Sequence, residues 1–404
     1  MRHSSPDKYL DSLLAANSAR LGPAFADPAA FRVEIFYTRI DRDARNRPHL
    51  TEHHWPQAPS SYFYPASTVK LPAALLTLET LHRLGIPRDA DMLTDSLPGI
   101  SGATLTDTSS PTGKPSAEHY IKKIFLVSDN DAFNRLYEFL GQEALNAGLH
   151  EKGYPDSRII HRLSMPLTPE ANRQTNGARF LQNGKLLYAQ PPRNYEGPVP
   201  GPPPSGPEQA GNAHYAGDSL VAAPFDFSQK NRLRLGDLHH ILQSIIFPET
   251  VTSRERFRLT EDDYRFLYRY MSRLPTESEG NDPKFDTREF HRNYTKYLMG
   301  GADSSIRLPP GLRIFNKSGW AYGFLTDVAY FADFANNIEF LLSARVYTNT
   351  DGIIGDDTYD YETIGKPFLR ELGAIIYETE LNRERKYKPD LQRYQEGKTR
   401  LHIP

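Results

Sequence analysis

The chain has 404 residues, 48 basic against 50 acidic side chains for a formal charge of −2, and no cysteine. That length suffices for a full hydrophobic core. The charge balance argues against nucleic acid as the main partner, and the missing thiols exclude disulfides, thiolate metal sites and a cysteine nucleophile. No uninterrupted apolar run reaches the roughly 18 residues of a membrane span. With 38% apolar residues, 32 Pro and 23 Tyr, the composition reads as a soluble, loop-rich globular protein.

The amino terminus, Met1-Arg2-His3-Ser4-Ser5, lacks the basic-then-apolar profile of an export signal. Two readings follow: a cytoplasmic protein, or one whose signal is not part of this sequence. Residues 7–20 read as an amphipathic helix, with Leu10, Leu13 and Leu14 on one face. The alternation Val33, Ile35, Tyr37 predicts a strand, joined through a polar turn at 41–48 to a second strand near 49–55. After Tyr64-Pro65-Ala66-Ser67 a long helix runs through Leu71, Leu75, Leu78, Leu81 and Leu84, with Ser67 in its first turn. Two further helices, 117–127 and 130–147, carry Ile121, Ile124, Phe133, Leu136 and Leu140 at helical spacing.

Residues 190–228 then hold Pro191-Pro192, Pro198, Pro200 and Pro202-Pro203-Pro204, which propagate neither a helix nor a central strand. This segment reads as an excursion over the surface. Helical texture returns at 235–247 and 260–274, and 275–300 fits no pattern. Residues 324–334 and 338–347 read as strands around a turn at Asn336-Asn337. A closing helix spans about 361–380. Strands at both ends with helices between them predict one sheet assembled from both termini, an α/β fold of the α+β kind.

Three short segments carry chemistry, and their order matters more than any one of them. In Ser67-Thr68-Val69-Lys70 the serine and lysine are three apart and share a helix face. A lysine so placed can deprotonate the serine if burial or a neighbouring cation lowers its pKa. Ser128-Asp129-Asn130 precedes a helix and, taken alone, is a helix cap. Lys317-Ser318-Gly319, followed by Trp320, is on its own a polar turn entering a strand.

In this order the three segments match the Ser-x-x-Lys, Ser-Asp-Asn, Lys-Thr-Gly signature of serine acyl transferases. The chain resembles the penicillin-recognising serine hydrolase superfamily, and within it the class A β-lactamase type. The resemblance implies an antiparallel sheet flanked by terminal helices beside a mostly helical subdomain. Within a single domain spanning 1–404, the sheet part would comprise 28–66 and 302–385. The helical part would comprise 67–300, with the Pro-rich insertion at 185–230.

The resemblance also implies roles. Ser67 would be the nucleophile and Lys70 its base, Ser128 would hand a proton to the departing amine, and Asn130 would bind the substrate amide. Lys317 would supply positive potential, Ser318 and Gly319 would contact the substrate, and the backbone N–H groups of Ser67 and Trp320 would form the oxyanion hole. Substrates would be small β-lactams, peptides or esters. No cofactor, metal, nucleic acid or membrane span would be involved, the chain would be a monomer, and its place would be periplasmic or secreted. A D-alanyl-D-alanine peptidase, a small-ester esterase and a non-catalytic binder of cell-wall peptides are the rival readings.

The class A type also uses a deacylating Glu in a Glu-x-x-x-Asn loop. The corresponding stretch runs from Arg162 to Asn172. Aligning Pro169-Glu170-Ala171-Asn172 with the loop's end puts Thr168 at the catalytic position, and aligning from Arg162-Leu163 puts Leu167 there. The acid is missing in both, so poor deacylation is expected, with Glu170 as the candidate substitute. Trp320 and Tyr322 fit either pocket lining or strand-edge packing. The pairs His53-His54 and His239-His240 point apart on any regular element and make no metal site. Asp351, Asp356, Asp357 and Asp360 lack calcium-loop spacing and read as a solvated loop.

Overall fold

The computed structural model describes residues 7–56, 62–204 and 206–395; the polar start read for an export signal lies outside them. Five antiparallel strands form the main sheet, in the order Leu312–Ala321, Phe324–Asp333, Ile338–Tyr347, Glu34–Arg42, Pro48–Trp55. Both chain ends contribute to it. The register pairs Lys317 with Val328, Leu325 with Val346, Glu34 with Arg345 and Ile35 with Trp55.

Every residue of the two central strands 324–333 and 338–347 is buried, polar ones included. Both faces of the sheet are covered, so inward and outward positions are buried alike. On one face lie Lys8–Ala16, Ser18–Ala26 and Lys366–Asn382, packed through Leu10, Leu14, Leu369, Leu372 and Ile376. On the other lies Leu235–Ile246, buried through Leu238, Ile241, Leu242 and Ile245.

The helices Lys70–Leu84, Ala117–Val127, Asn130–Glu151 and Glu261–Ser272 build the second part of the molecule. Their apolar core continues without a break into the sheet residues Phe315, Val328, Tyr330 and Leu341. The expected first helix is two: the chain leaves helical geometry at Asn17 (φ −113°, ψ 17°). The expected last helix starts later, at Lys366, after a wide turn at Tyr361–Gly365.

The Pro-rich excursion folds into short strands, none of which joins the main sheet. Two contacts pin it down. Glu208 lies buried between the guanidinium groups of Arg158 (2.8 Å) and Arg232 (3.1 Å). Arg193 donates to the carbonyl of Phe139 at a break in the Asn130–Glu151 helix, where Gly141 takes φ 76°. A third attachment is a parallel pairing of Ile353 and Ile354 with Ala213 and His214.

Candidate active site

Pro65 and Ala66 turn the chain into a single tight turn, Ala66–Val69, before the helix proper begins at Lys70. Ala66 sits at φ 45°, a left-handed conformation that costs a non-glycine residue about 1 kcal/mol or more. The turn leaves Ser67 partly exposed while Lys70 is fully buried beneath it. Lys70 Nζ lies 2.8 Å from Ser67 Oγ, 2.6 Å from Asn130 Oδ1 and 3.3 Å from Ser128 Oγ, and also touches the Ser128 carbonyl. Burial, reinforced by the charge of Lys317, holds its amine well below the usual lysine range, against a weaker pull from Asp129. An amine whose charged form is disfavoured, 2.8 Å from a serine hydroxyl, is placed to take its proton.

The Ser128-Asp129-Asn130 junction divides its labour. Ser128 ends one helix in left-handed conformation (φ 57°), and Asp129 caps the next by accepting from the Ala132 N–H at 2.8 Å. Asp129 is the helix cap that its residue type suggests, while Ser128 and Asn130 face the site. Lys317 Nζ donates to Ser128 Oγ at 2.8 Å and to the Ser318 carbonyl at 2.6 Å. Burial pushes Lys317 down to about 7, with Asp327 pulling upward and Lys296 downward.

Ser318 Oγ donates to the Thr295 carbonyl at 2.8 Å. Gly319 is where the sheet edge meets the Ser67 turn: a Cβ there would lie 2.8 Å from the Ser67 nitrogen, 3.0 Å from the Thr68 nitrogen and 3.1 Å from the Pro65 carbonyl. Those are backbone atoms that cannot step aside, so only glycine permits the approach. Ser67, Ser128, Asn130, Ser318 and Trp320 all line one cavity of about 530 Å³, with the two lysine amines behind them. That size is within the range of small-molecule sites.

Glu170 is not brought to this cavity. It is exposed on the short helix Pro169–Arg173 and is not among the lining residues. Nor do Leu167 and Thr168 line the Ser67 cavity. Ser164 does: it lines the cavity, takes φ 54°, and its Oγ accepts from Asn130 Nδ2 at 2.7 Å. The anchors of the loop explain this. Arg162 is buried on Glu138 (2.9 Å) and its backbone N–H donates to Asn172 Oδ1 (3.0 Å), which ties the two ends of the loop together and leaves Ser164 exposed beside Asn130.

Sequence reasoning also missed Lys296, in the patternless stretch. It is fully buried behind the Lys317 strand and donates to the carbonyls of Met271 and Ile314 (both 2.8 Å) and to Asn316 Oδ1 (2.6 Å). Lys284, Arg288, Arg292 and Lys296 look alike in that stretch of sequence, and nothing marks the last of them.

The histidine pairs are absorbed separately. His53 meets Asp7, His54 meets Glu34, His239 sits between Thr38 and Ser343, and His240 meets Glu52. Among the described residues no group of three or more His, Asp or Glu is placed to hold a metal, and no helix is long and apolar enough to cross a membrane. The acidic loop is not simply solvated, because Asp357 lines the cavity and Asp360 accepts from the Thr350 N–H at 3.0 Å.

Residues 49–193 match the model of the beta-lactamase enzyme family. No curated protein matches the chain. Among solved structures it is similar to the beta-lactamase of Sphaerobacter thermophilus DSM 20745, at 13% identity and TM-score 0.44 over 90% of this chain and 97% of that one. It is similar to a beta lactamase from Burkholderia vietnamiensis at 16% identity and TM-score 0.46, over 95% and 99%. It is also similar to a point mutant of PBP-A, an acyl-enzyme complex with penicillin-G, at 15% identity and TM-score 0.49, over 93% and 98%. The matched segment 49–193 carries Ser67, Lys70, Ser128 and Asn130, and the sheet edge brings Lys317 to them. The likeness to the beta-lactamase enzyme family is therefore carried by residues 49–193, and Lys317 joins the hydrogen-bonded set that this segment forms around Ser67.

Proposed function

We propose that this serine hydrolase is acylated at Ser67 by β-lactam-like amides and esters and releases the acyl group slowly. The observation that carries the reading is an asymmetry around Asn130. On one side the buried Lys70 amine, its pKa held down by burial, lies 2.8 Å from Ser67 Oγ. On the other side Asn130 Nδ2 donates to Ser164, a hydroxyl and not a carboxylate, at the cavity wall.

Lys70 takes the Ser67 proton as Oγ attacks the carbonyl. Ser128, linked to Lys70 at 3.3 Å and Lys317 at 2.8 Å, delivers a proton to the departing nitrogen. The N–H groups of Ser67 and Trp320 receive the developing oxyanion; one such donor is worth about 10² to 10³ in rate. Asn130 holds Lys70 and binds the substrate amide, and Lys317 receives a substrate carboxylate, joined by Ser318 once its hydroxyl turns from the Thr295 carbonyl. Hydrolysis of the acyl-enzyme then lacks a general base, a deficit of about 10² to 10⁴ in rate.

Slow release to water favours a penicillin-binding or D-alanyl-D-alanine peptidase character over an efficient β-lactamase. A purely non-catalytic binder is disfavoured because five polar side chains are held in one hydrogen-bonded set at Ser67. Cell-wall chemistry of this kind fits a protein of the periplasm or the cell exterior. A chromogenic cephalosporin tests the reading: it should give a burst of about one product per chain, then a much slower steady phase. Linear turnover without a burst would refute it.

A further inference from the structure

One wall of the Ser67 cavity is aromatic and carries one carboxylate. Trp320, Tyr322, Tyr359 and Tyr361 line it, together with Asp357. The rings are held in place. Tyr361 Oη accepts from the Gly323 N–H at 2.8 Å and Tyr359 Oη from the Gly355 N–H at 2.9 Å. Trp320 stands edge-on to Tyr361 at 5.0 Å between centroids, and Tyr359 lies 5.3 Å from Tyr361. Trp320 is nonetheless 55% exposed, an unusual state for the largest side chain on a strand that is otherwise mostly buried.

Tyr322 sits at φ 54° in a two-residue turn with Gly323 at φ 82°, where Asn or Gly is the usual choice. A bulky residue kept in that conformation is local strain at a site wall. Asp357 has no hydrogen-bond or ion-pair partner among the described residues, although its neighbours Asp356 and Asp360 both bond within the loop.

The insertion builds this wall. Its backbone donates to the Gly352 carbonyl from Asn212 at 2.7 Å, and its strand Ala213–Ala216 pairs with Ile353–Ile354, immediately before Asp357. From below, Phe225 stacks on Tyr322 at 6.0 Å and Phe227 meets it edge-on at 5.6 Å. The Pro-rich excursion is thus a prop for one side of the catalytic cavity.

We infer that Asp357 and the faces of Trp320, Tyr359 and Tyr361 form a cation subsite, so that the acyl donor this enzyme takes carries an ammonium or guanidinium group. The inference rests on the acyl-enzyme reading above. Aromatic faces attract cations within about 6 Å, and an unpaired carboxylate at the rim adds an ion pair. The two reactive lysines are already engaged, Lys70 with Ser67 and Asn130, and Lys317 with Ser128. The free negative charge on this wall is therefore open to the substrate.

The test compares benzylpenicillin with ampicillin, which differ by one α-ammonium group, at about pH 6, where an α-amino group is charged. The readout is the ratio of their second-order acylation rates in the wild-type chain and in Asp357→Asn, a substitution that suits the left-handed backbone at 357 (φ 60°). Ampicillin should acylate about fivefold faster in wild type, and the ratio should fall to about one in the variant. Equal rates in wild type, or a preference unchanged in the variant, would overturn the cation subsite and leave the acyl-enzyme intact. Acylation by neither penicillin would overturn the acyl-enzyme reading and this inference with it.

Discussion

Replacing Ser164 with Glu should convert a slowly released acyl-enzyme into one that turns over. The geometry sets the expectation. Ser164 Oγ is 2.7 Å from Asn130 Nδ2, Asn130 Oδ1 is 2.6 Å from Lys70 Nζ, and Lys70 Nζ is 2.8 Å from Ser67 Oγ. A carboxylate two carbons longer than the serine side chain would project into the cavity that Ser164 and Ser67 share and could hold a water there. The backbone at 164 already carries a Cβ at φ 54°, so the substitution adds no new conformational cost. A positioned general base contributes about 10² to 10⁴ in rate, so the acyl-enzyme lifetime should shorten at least about 100-fold, or about 2.7 kcal/mol of barrier. The assay is to acylate with benzylpenicillin, remove the excess by gel filtration, and follow loss of the added mass. Acylation at the wild-type rate with an unchanged lifetime would refute the reasoning, and would place the obstacle in water access instead.

Other outcomes follow from the same geometry. Gly319→Ala should reduce acylation by about 10² or more, the cost of a displaced oxyanion donor. Its circular dichroism should stay native, and a near-normal acylation rate would contradict the close approach of the strand to Ser67. Lys317, pushed down to about 7, is charged below that pH and neutral above it. The kcat/KM for acylation by a penicillin, which bears a carboxylate, should therefore fall above about pH 7, while a neutral ester shows no such limb. An identical alkaline profile for both would remove Lys317 from carboxylate binding. Glu208→Ala leaves Arg158 and Arg232 without their shared buried partner and should cost about 3–5 kcal/mol in urea unfolding. A loss below about 1 kcal/mol would mean that this pair does not anchor the insertion.

Much of the site was legible because its chemistry is written locally. Ser67 and Lys70 are one helical turn apart, and the Ser128 junction and Lys317 strand are short motifs with few alternatives when read in order. The sheet was legible for a similar reason: the alternation at Val33, Ile35 and Tyr37 and the turn at Asn336-Asn337 are short-range signals. Ser164 was not legible, because its position depends on where Arg162 and Asn172 are tied down, and those ties to Glu138 and to the loop backbone are made across space. Lys296 was hidden likewise, since burial of a lysine among the carbonyls of Met271 and Ile314 leaves no periodic trace. The Pro-rich insertion announced what it could not form, a helix or a central strand. Its pairing with Ile353–Ile354 joins segments about 140 positions apart, and no local pattern encodes that.

The central claim, that Ser67 is acylated and only slowly freed, is tested most directly by intact-protein mass after incubation with benzylpenicillin, for wild type and Ser67→Ala. The account predicts one added penicillin on the wild-type chain, persisting after the free antibiotic is removed, and none on Ser67→Ala. An adduct on both proteins would move the nucleophile elsewhere. Antibiotic consumed with no lasting adduct on wild type would contradict slow release and point to a hydrolytic base that Ser164 does not replace.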